Sequence, residues 1–279
     1  MLSMKKTGGK KSIGVFDSGF GGLHILRGIV KELPEYDFVY LGDTARNPYG
    51  TRSKEVVYGF TKQGVDFLFE QGSELVVLAC NTASAEALRK IQMEYLPKKY
   101  PGKRVIGVVI PAVEAVIGST RSGRVGVIAT EGTIHSKAFA HEILKKSPKL
   151  KIFSKACPLL VPLIEEGEHD LPHADLILKN YLNPVLKNNI DTLVLGCTHY
   201  GIVEDKIQKI AGKKVKIISE AKIVPKKLRE YLGRHPEIEN KLSKKGKRTF
   251  YSTDLTEKFQ KLGSKFFGKK INVQKAQLS

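Results

Sequence analysis

Two apolar runs, "LVVLACNTAS" from Leu75 and "TLVLGCTHY" from Thr192, end alike: a small residue, a cysteine, then a polar residue. The chain has only 3 cysteines in 279 residues, and two of them close near-copies of one pattern. Cys80 and Cys197 stand 117 residues apart; a second pair of runs, "IGVFDSG" from Ile13 and "VGVIATEGT" from Val125, is offset by 112. Strand-and-turn elements that recur in one order at nearly one interval predict two halves of similar α/β architecture. β-Branched runs at 12–16, 37–41, 75–79, 104–109, 124–128, 151–154, 192–195 and 215–218 alternate with amphipathic stretches at 55–70, 84–95, 137–145, 174–187 and 204–211. That alternation is the mark of βαβ units and mainly parallel sheets.

The stretch "YLPKKYPGKR" reads as a domain boundary because Pro, Gly and charge concentrate there. The expected division is a first α/β domain from residues 1–103 and 221–279, and a second from 104–220, facing one another across a cleft. The C-terminal segment returns to complete the first domain. In open α/β sheets ligands bind beyond the carboxyl ends of the strands, and Asp17, Cys80, Thr130 and Cys197 all fall at such ends.

Composition removes several classes. Hydrophobic content of 41% describes a globular chain. "MLSMKKTGGKKS" is basic, but no apolar stretch of signal-peptide length follows it. No apolar run approaches the roughly 20 residues of a membrane span. Three cysteines without a paired framework point to a reducing cytoplasm and leave the thiols free for chemistry. The net charge is +19, and from Asp205 onward 21 basic residues face 7 acidic ones. These lysines come singly and in pairs without interleaved aromatics, and only 10 of 47 basic residues are Arg. That pattern argues for a solvated surface over a nucleic-acid site.

The glycine loop "DSGFGGLHIL" follows a strand and opens a helix, where backbone N–H groups can cradle an anion. It is not a dinucleotide fingerprint, since the third glycine position is His24, and "TGGKKS" lacks the P-loop spacing. An Asp at the mouth of the turn favours a site over a bare tight turn. Cys157, in "KACPLLVP", fits the role of a small buried hydrophobe. Cys80 and Cys197 are different: each ends a strand and precedes a Thr suited to capping a helix, a setting expected to lower a thiol pKa. His199 adds a titratable neighbour. Zinc would call for close ligand pairs, yet no CxxC occurs, and Pro172 interrupts the "HDLPH" pair His169 and His173. Two facing thiols without cofactor or metal can take a proton from one face of a carbon and return one to the other. That is racemisation.

At this point "IGVFDSGFGGL", "YLGDTARNPYGTRS", "VVLACNTASA", "CPLLVPLIEEG" and "DTLVLGCTHY" together resemble the cofactor-independent glutamate racemases of the aspartate/glutamate racemase superfamily. The resemblance implies interconversion of L- and D-glutamate, which supplies D-glutamate for bacterial peptidoglycan. It implies no cofactor and no metal, a cytoplasmic homodimer, and a small amino-acid substrate in place of nucleic acid or membrane. It makes Cys80 and Cys197 the acid/base pair, Cys80 serving D-glutamate and Cys197 serving L-glutamate, with Asp17 and His199 assisting and Glu165 supporting His199. Asp17, Ser18, Tyr49, Gly50, Asn81, Thr82, Thr198 and His199 match positions that hold the amino acid, and Thr130 and Thr133 are expected to add hydroxyls and backbone donors to substrate binding at the second half's turn. Gly201 and the "IISEA" stretch depart from the more usual residues there.

Overall fold

The computed structural model describes residues 11–279. The basic opening segment, with most of "TGGKKS", lies outside the described residues. Strands β1 (Ser12–Asp17), β2 (Phe38–Gly42), β3 (Ser73–Leu78) and β4 (Arg104–Gly107) build one sheet, and β5 (Arg124–Ala129), β6 (Lys151–Ala156), β7 (Thr192–Gly196) and β8 (Lys216–Ile218) build another. The later strands β9 (Arg248–Ser252) and β10 (Val273–Lys275) extend the first, giving the orders β10-β9-β2-β1-β3-β4 and β6-β5-β7-β8. Every strand pair is parallel among the described residues. The order β2-β1-β3-β4 thus reappears as β6-β5-β7-β8, the architectural form of the sequence repeat.

Helices cover both faces of a parallel sheet, so its central strands read as unbroken apolar runs. β2, β3 and β7 are buried along their whole length. Ile13 and Val15 of β1, Leu193 and Leu195 of β7 and Leu228 belong to one continuous apolar core that joins the two sheets. Full burial of each such side chain stabilises the fold by roughly 2 kcal/mol. The helix Glu220–Arg234 packs along Gly22–Glu32 and against Val109–Ile117. Gly28 permits the closest approach, since a Cβ there would stand 2.5 Å from the carbonyl oxygen of Ala221.

Several expectations need correction. A domain boundary just before Arg104 would cut a sheet, because β4 pairs with β3. The Pro/Gly-rich residues 95–103 carry the end of a helical stretch, Leu96–Lys99, and the short turn that leads from it into β4, a composition shared with linkers. The run at 104–109 is strand only to Gly107; Val109–Ile117 is helical, with Pro111 in the first turn, where its missing N–H breaks no helical bond. The helix expected at 84–95 starts at Asn81 and passes through a π turn at Ile91–Tyr95. Pro172 starts the helix Pro172–Leu186 and does not interrupt one. β9 is only half-buried and β10 is a 3-residue exposed edge, so neither carries the unbroken apolar run that marks a central strand. No helix among the described residues is long and apolar enough to cross a membrane.

Candidate active site

The carboxyl ends of β1, β3, β5 and β7 meet at one place. Asp17 is the last residue of β1, Cys80 follows β3, Thr130 follows β5 and Cys197 follows β7. Ser18, Tyr49, Gly50, Cys80, Asn81, Thr82, Thr130, Cys197, Thr198 and His199 line a single cavity, together with Asn47, Pro48 and Val161. The free space between them is about 20 Å³, room for about one water. Asp17, Thr133 and Glu165 are not part of this lining but adjoin it: Thr133 Oγ1 lies against Thr82, Glu165 against His199, and Asp17 directly precedes Ser18.

The Cys80 side is built from the first sheet. Cys80 is the residue before the short helix Asn81–Glu86, and the Ser18 hydroxyl lies 3.3 Å from its Sγ. The fully buried Asp17 carboxylate accepts the Gly19 N–H at 3.0 Å. Burial pushes Asp17 upward, against the pull of His199 and the N–H groups of Gly22 and Gly19. Burial, and then the Asp17 charge, push the Cys80 thiol up to about 12, against the Ser18 hydroxyl and the Ala83 N–H. This overturns the expectation of a lowered thiol pKa at Cys80. A helix of less than two turns supplies a weak field, and burial outweighs it.

The Cys197 side is built from the second sheet. A 3-10 helix, Thr198–Val203, follows Cys197 where an α-helix was expected. His199 Nδ1 lies 3.7 Å from Cys197 Sγ, and its Nε2 lies 2.9 Å from Glu165 Oε1. Asn47 Nδ2 donates to the same Glu165 oxygen at 2.8 Å. Burial pulls the His199 ring down, but hydrogen bonds to Cys197 and Glu165, and their charges, outweigh it and hold the ring well above the ordinary histidine range. The ring is thus held toward its protonated form between the Cys197 sulfur and the Glu165 carboxyl group. Gly21 lets the first half reach this spot: a Cβ there would fall on Thr198 Oγ1 and 2.8 Å from His199 Nδ1.

Hydroxyls join the two sides. Thr82 Oγ1 lies 3.0 Å from Thr130 Oγ1 and 3.2 Å from Thr133 Oγ1, and those two lie 3.0 Å apart. Thr130 also caps the helix Glu131–His135. Tyr49 lines the cavity, but its hydroxyl is taken by Asp43, which also accepts from Arg46 and Thr253. Cys157 lies outside the cavity lining, fully buried, its thiol pushed up to about 12 by burial. His169 is buried and His173 pairs with Glu168 at 3.0 Å, so these two serve separate neighbours. No group of three or more metal-ligating side chains forms among the described residues.

Residues 13–226 match the family described as Asp/Glu/Hydantoin racemase. The chain belongs to that family. It is 42% identical over 262 residues to a glutamate racemase of Geobacter metallireducens, covering 94% of each chain. Among solved structures, the glutamate racemase of Francisella tularensis in complex with D-glutamate superposes with a TM-score of 0.86 at 36% identity, covering 96% of this chain and 98% of that one. A glutamate racemase isoform of Bacillus anthracis gives 0.88 at 35% identity over the same shares.

Within the racemase family frame, residues that sequence reasoning missed become visible. Asn47 joins Glu165 to the cavity; it sat unremarked inside the quoted "GDTARNPYGTRS". Asp43 of the same stretch holds Tyr49. Glu220 lies against Asn81 from the far end of the chain, with the atypical "IISEA" as its only sequence signal.

Proposed function

We propose that this chain interconverts L- and D-glutamate without a cofactor, Cys80 and Cys197 acting as a two-base pair across the α-carbon. One observation carries the reading: thiols from equivalent strand ends of two similar sheets line one small cavity, each with its own polar partner. The identity to glutamate racemases over nearly the whole chain supports glutamate as the substrate.

In the direction from L to D, Cys197 as thiolate takes the α-proton while the His199 cation faces its sulfur. The Cys80 thiol then gives its proton to the opposite face. With Cys80 pushed up to about 12, thiolate there is on the order of one part in 10⁵ at pH 7. The free site thus holds Cys80 as the donor. In the opposite direction Cys80 must become the base, and the substrate ammonium beside Asp17 is the charge that offsets its carboxylate. Stabilising the α-carbanion requires the substrate carboxylates to be gripped by hydroxyl and N–H donors, a role for Thr82, Thr130, Thr133 and Thr198. Glutamate is far larger than the present free space, so the Thr82–Thr130 contact must open to admit it.

The role that follows is supply of D-glutamate for peptidoglycan, in the cytoplasm, by a homodimer. The test is polarimetry of pure L- or D-glutamate with purified protein dialysed against a chelator and treated with carbonyl reagents. Decay to zero rotation supports the reading. A requirement for pyridoxal phosphate or a metal contradicts it, as does decay with aspartate alone.

A further inference from the structure

Glu220 is the first residue of the helix Glu220–Arg234 and is 3% exposed. Asn81 Nδ2 donates to its Oε2 at 2.6 Å. Two atoms on this same pair of side chains, Glu220 Oε1 and Asn81 Oδ1, are buried without a hydrogen-bond partner. Both are acceptors when Glu220 is ionised, so one of the two side chains must bring a proton for either atom to be satisfied.

We propose that Glu220 is a positioning residue for the racemase site: as a neutral carboxylic acid it closes a reciprocal pair with Asn81, accepting from Nδ2 and donating its own O–H to Oδ1. A planar acid facing a planar amide makes these two bonds side by side, and both orphaned atoms gain a partner. The inference rests on the proposed reaction for its kinetic consequence, because Asn81 follows Cys80 and lines the same cavity. With Oδ1 and one N–H committed to Glu220, the amide cannot flip. It turns its remaining N–H outward, as a fixed donor for an anionic group of the substrate.

The surroundings agree. Asp17 reaches Glu220 from β1 and disfavours a second negative charge, while His24, Cys197, Thr198 and Ser219 share a small hollow with it. Burial and the nearby Arg27 pull the His24 ring down, so His24 provides no cation. No cation offsets Glu220 among the described residues. Its place at a helix start favours an anion, but that field is smaller than the cost of burying a bare carboxylate. Burial, with Asp17 adding to it and Asn81 opposing, holds the carboxyl well above its usual range.

The experiment compares Glu220→Gln and Glu220→Ala in glutamate racemisation from pH 6 to 9 and in thermal unfolding from pH 5 to 8. Gln mimics the neutral acid, donating from its amide nitrogen and accepting on its oxygen. It is expected to keep kcat and KM within about twofold, whereas Ala raises KM about tenfold with a smaller change in kcat. A folded pKa above the unfolded one gives stability that is full below about 4.5 and declines as pH rises toward the folded value. The Gln variant lacks this decline, so its Tm should gain on the wild type from pH 5 to 8. A Gln variant as impaired as Ala, an Ala variant with unchanged KM, or a Tm difference constant with pH overturns the proposal. The unfolding data stand even if the wild type fails to racemise glutamate, which separates this inference from the reading it rests on.

Discussion

The two thiols occupy equivalent places after β3 and β7, yet their surroundings differ in kind. Cys80 has a hydroxyl partner and a buried carboxylate nearby, and its thiol is pushed up to about 12. Cys197 faces a histidine that Glu165 holds in its cationic form. Duplicated architecture therefore places two thiols at equivalent strand ends without giving them the same surroundings. A reaction between mirror-image substrates does not demand that they be alike. The enantiomers have equal free energy, so kcat/KM is the same in both directions whatever the asymmetry of the site. The difference between the sides can show only in kcat and KM taken separately, or in a reaction that does not reverse.

The largest effect is expected from the thiols. Cys80→Ala and Cys197→Ala should each lower racemisation at least about 10³-fold in both directions, since in the proposed two-base mechanism every turnover uses one sulfur as base and the other as acid. Polarimetry from each pure enantiomer reads this. A loss confined to one direction would contradict the equality above.

His199→Asn should come next, lowering kcat about 10²-fold by removing the cation beside Cys197. The same variant sharpens the comparison in stability. The raised His199 pKa gives stability that is full below about 6.5 and fades as pH rises through the folded value. The wild-type advantage over His199→Asn in thermal unfolding should therefore shrink with rising pH. An advantage that grows would place the cation elsewhere.

Asp17→Asn is expected to act with two signs. If Asp17 pairs with the substrate ammonium as proposed, losing that partner should raise KM about tenfold. Losing the charge that pushes Cys80 up should speed alkylation of Cys80 by iodoacetamide, followed by mass spectrometry of the labelled peptide. Slower alkylation would show that Asp17 activates the thiol in the free protein. The smallest effect belongs to Cys157→Ala: racemisation unchanged, with a packing loss of about 1 kcal/mol in denaturant unfolding.

How much of this was legible depended on the kind of signal. The repeat of apolar runs ending in Cys80 and Cys197 announced the paired sheets, because buried parallel strands have a strong compositional signature. Strand ends then located Asp17, Thr130 and both thiols. β9 and β10 were hidden because half-exposed strands among lysines look like loops. The state of the Cys80 thiol was hidden for a different reason. Sequence shows a helix start but not the depth of burial, and here burial prevails. Glu220 joins Asn81 across 139 positions of chain, a contact that no local pattern reveals.

The most direct measurement uses a glutamate analogue whose β-leaving group departs once the α-proton is removed. Elimination needs only the base, so each single-cysteine variant should retain it toward one enantiomer. Cys197→Ala, keeping Cys80, should eliminate from the D-analogue, and Cys80→Ala, keeping Cys197, from the L-analogue, while neither racemises glutamate. Elimination from both enantiomers by one variant, or wild-type racemisation by either, would contradict the two-base account and leave the repeated cysteines a purely structural feature.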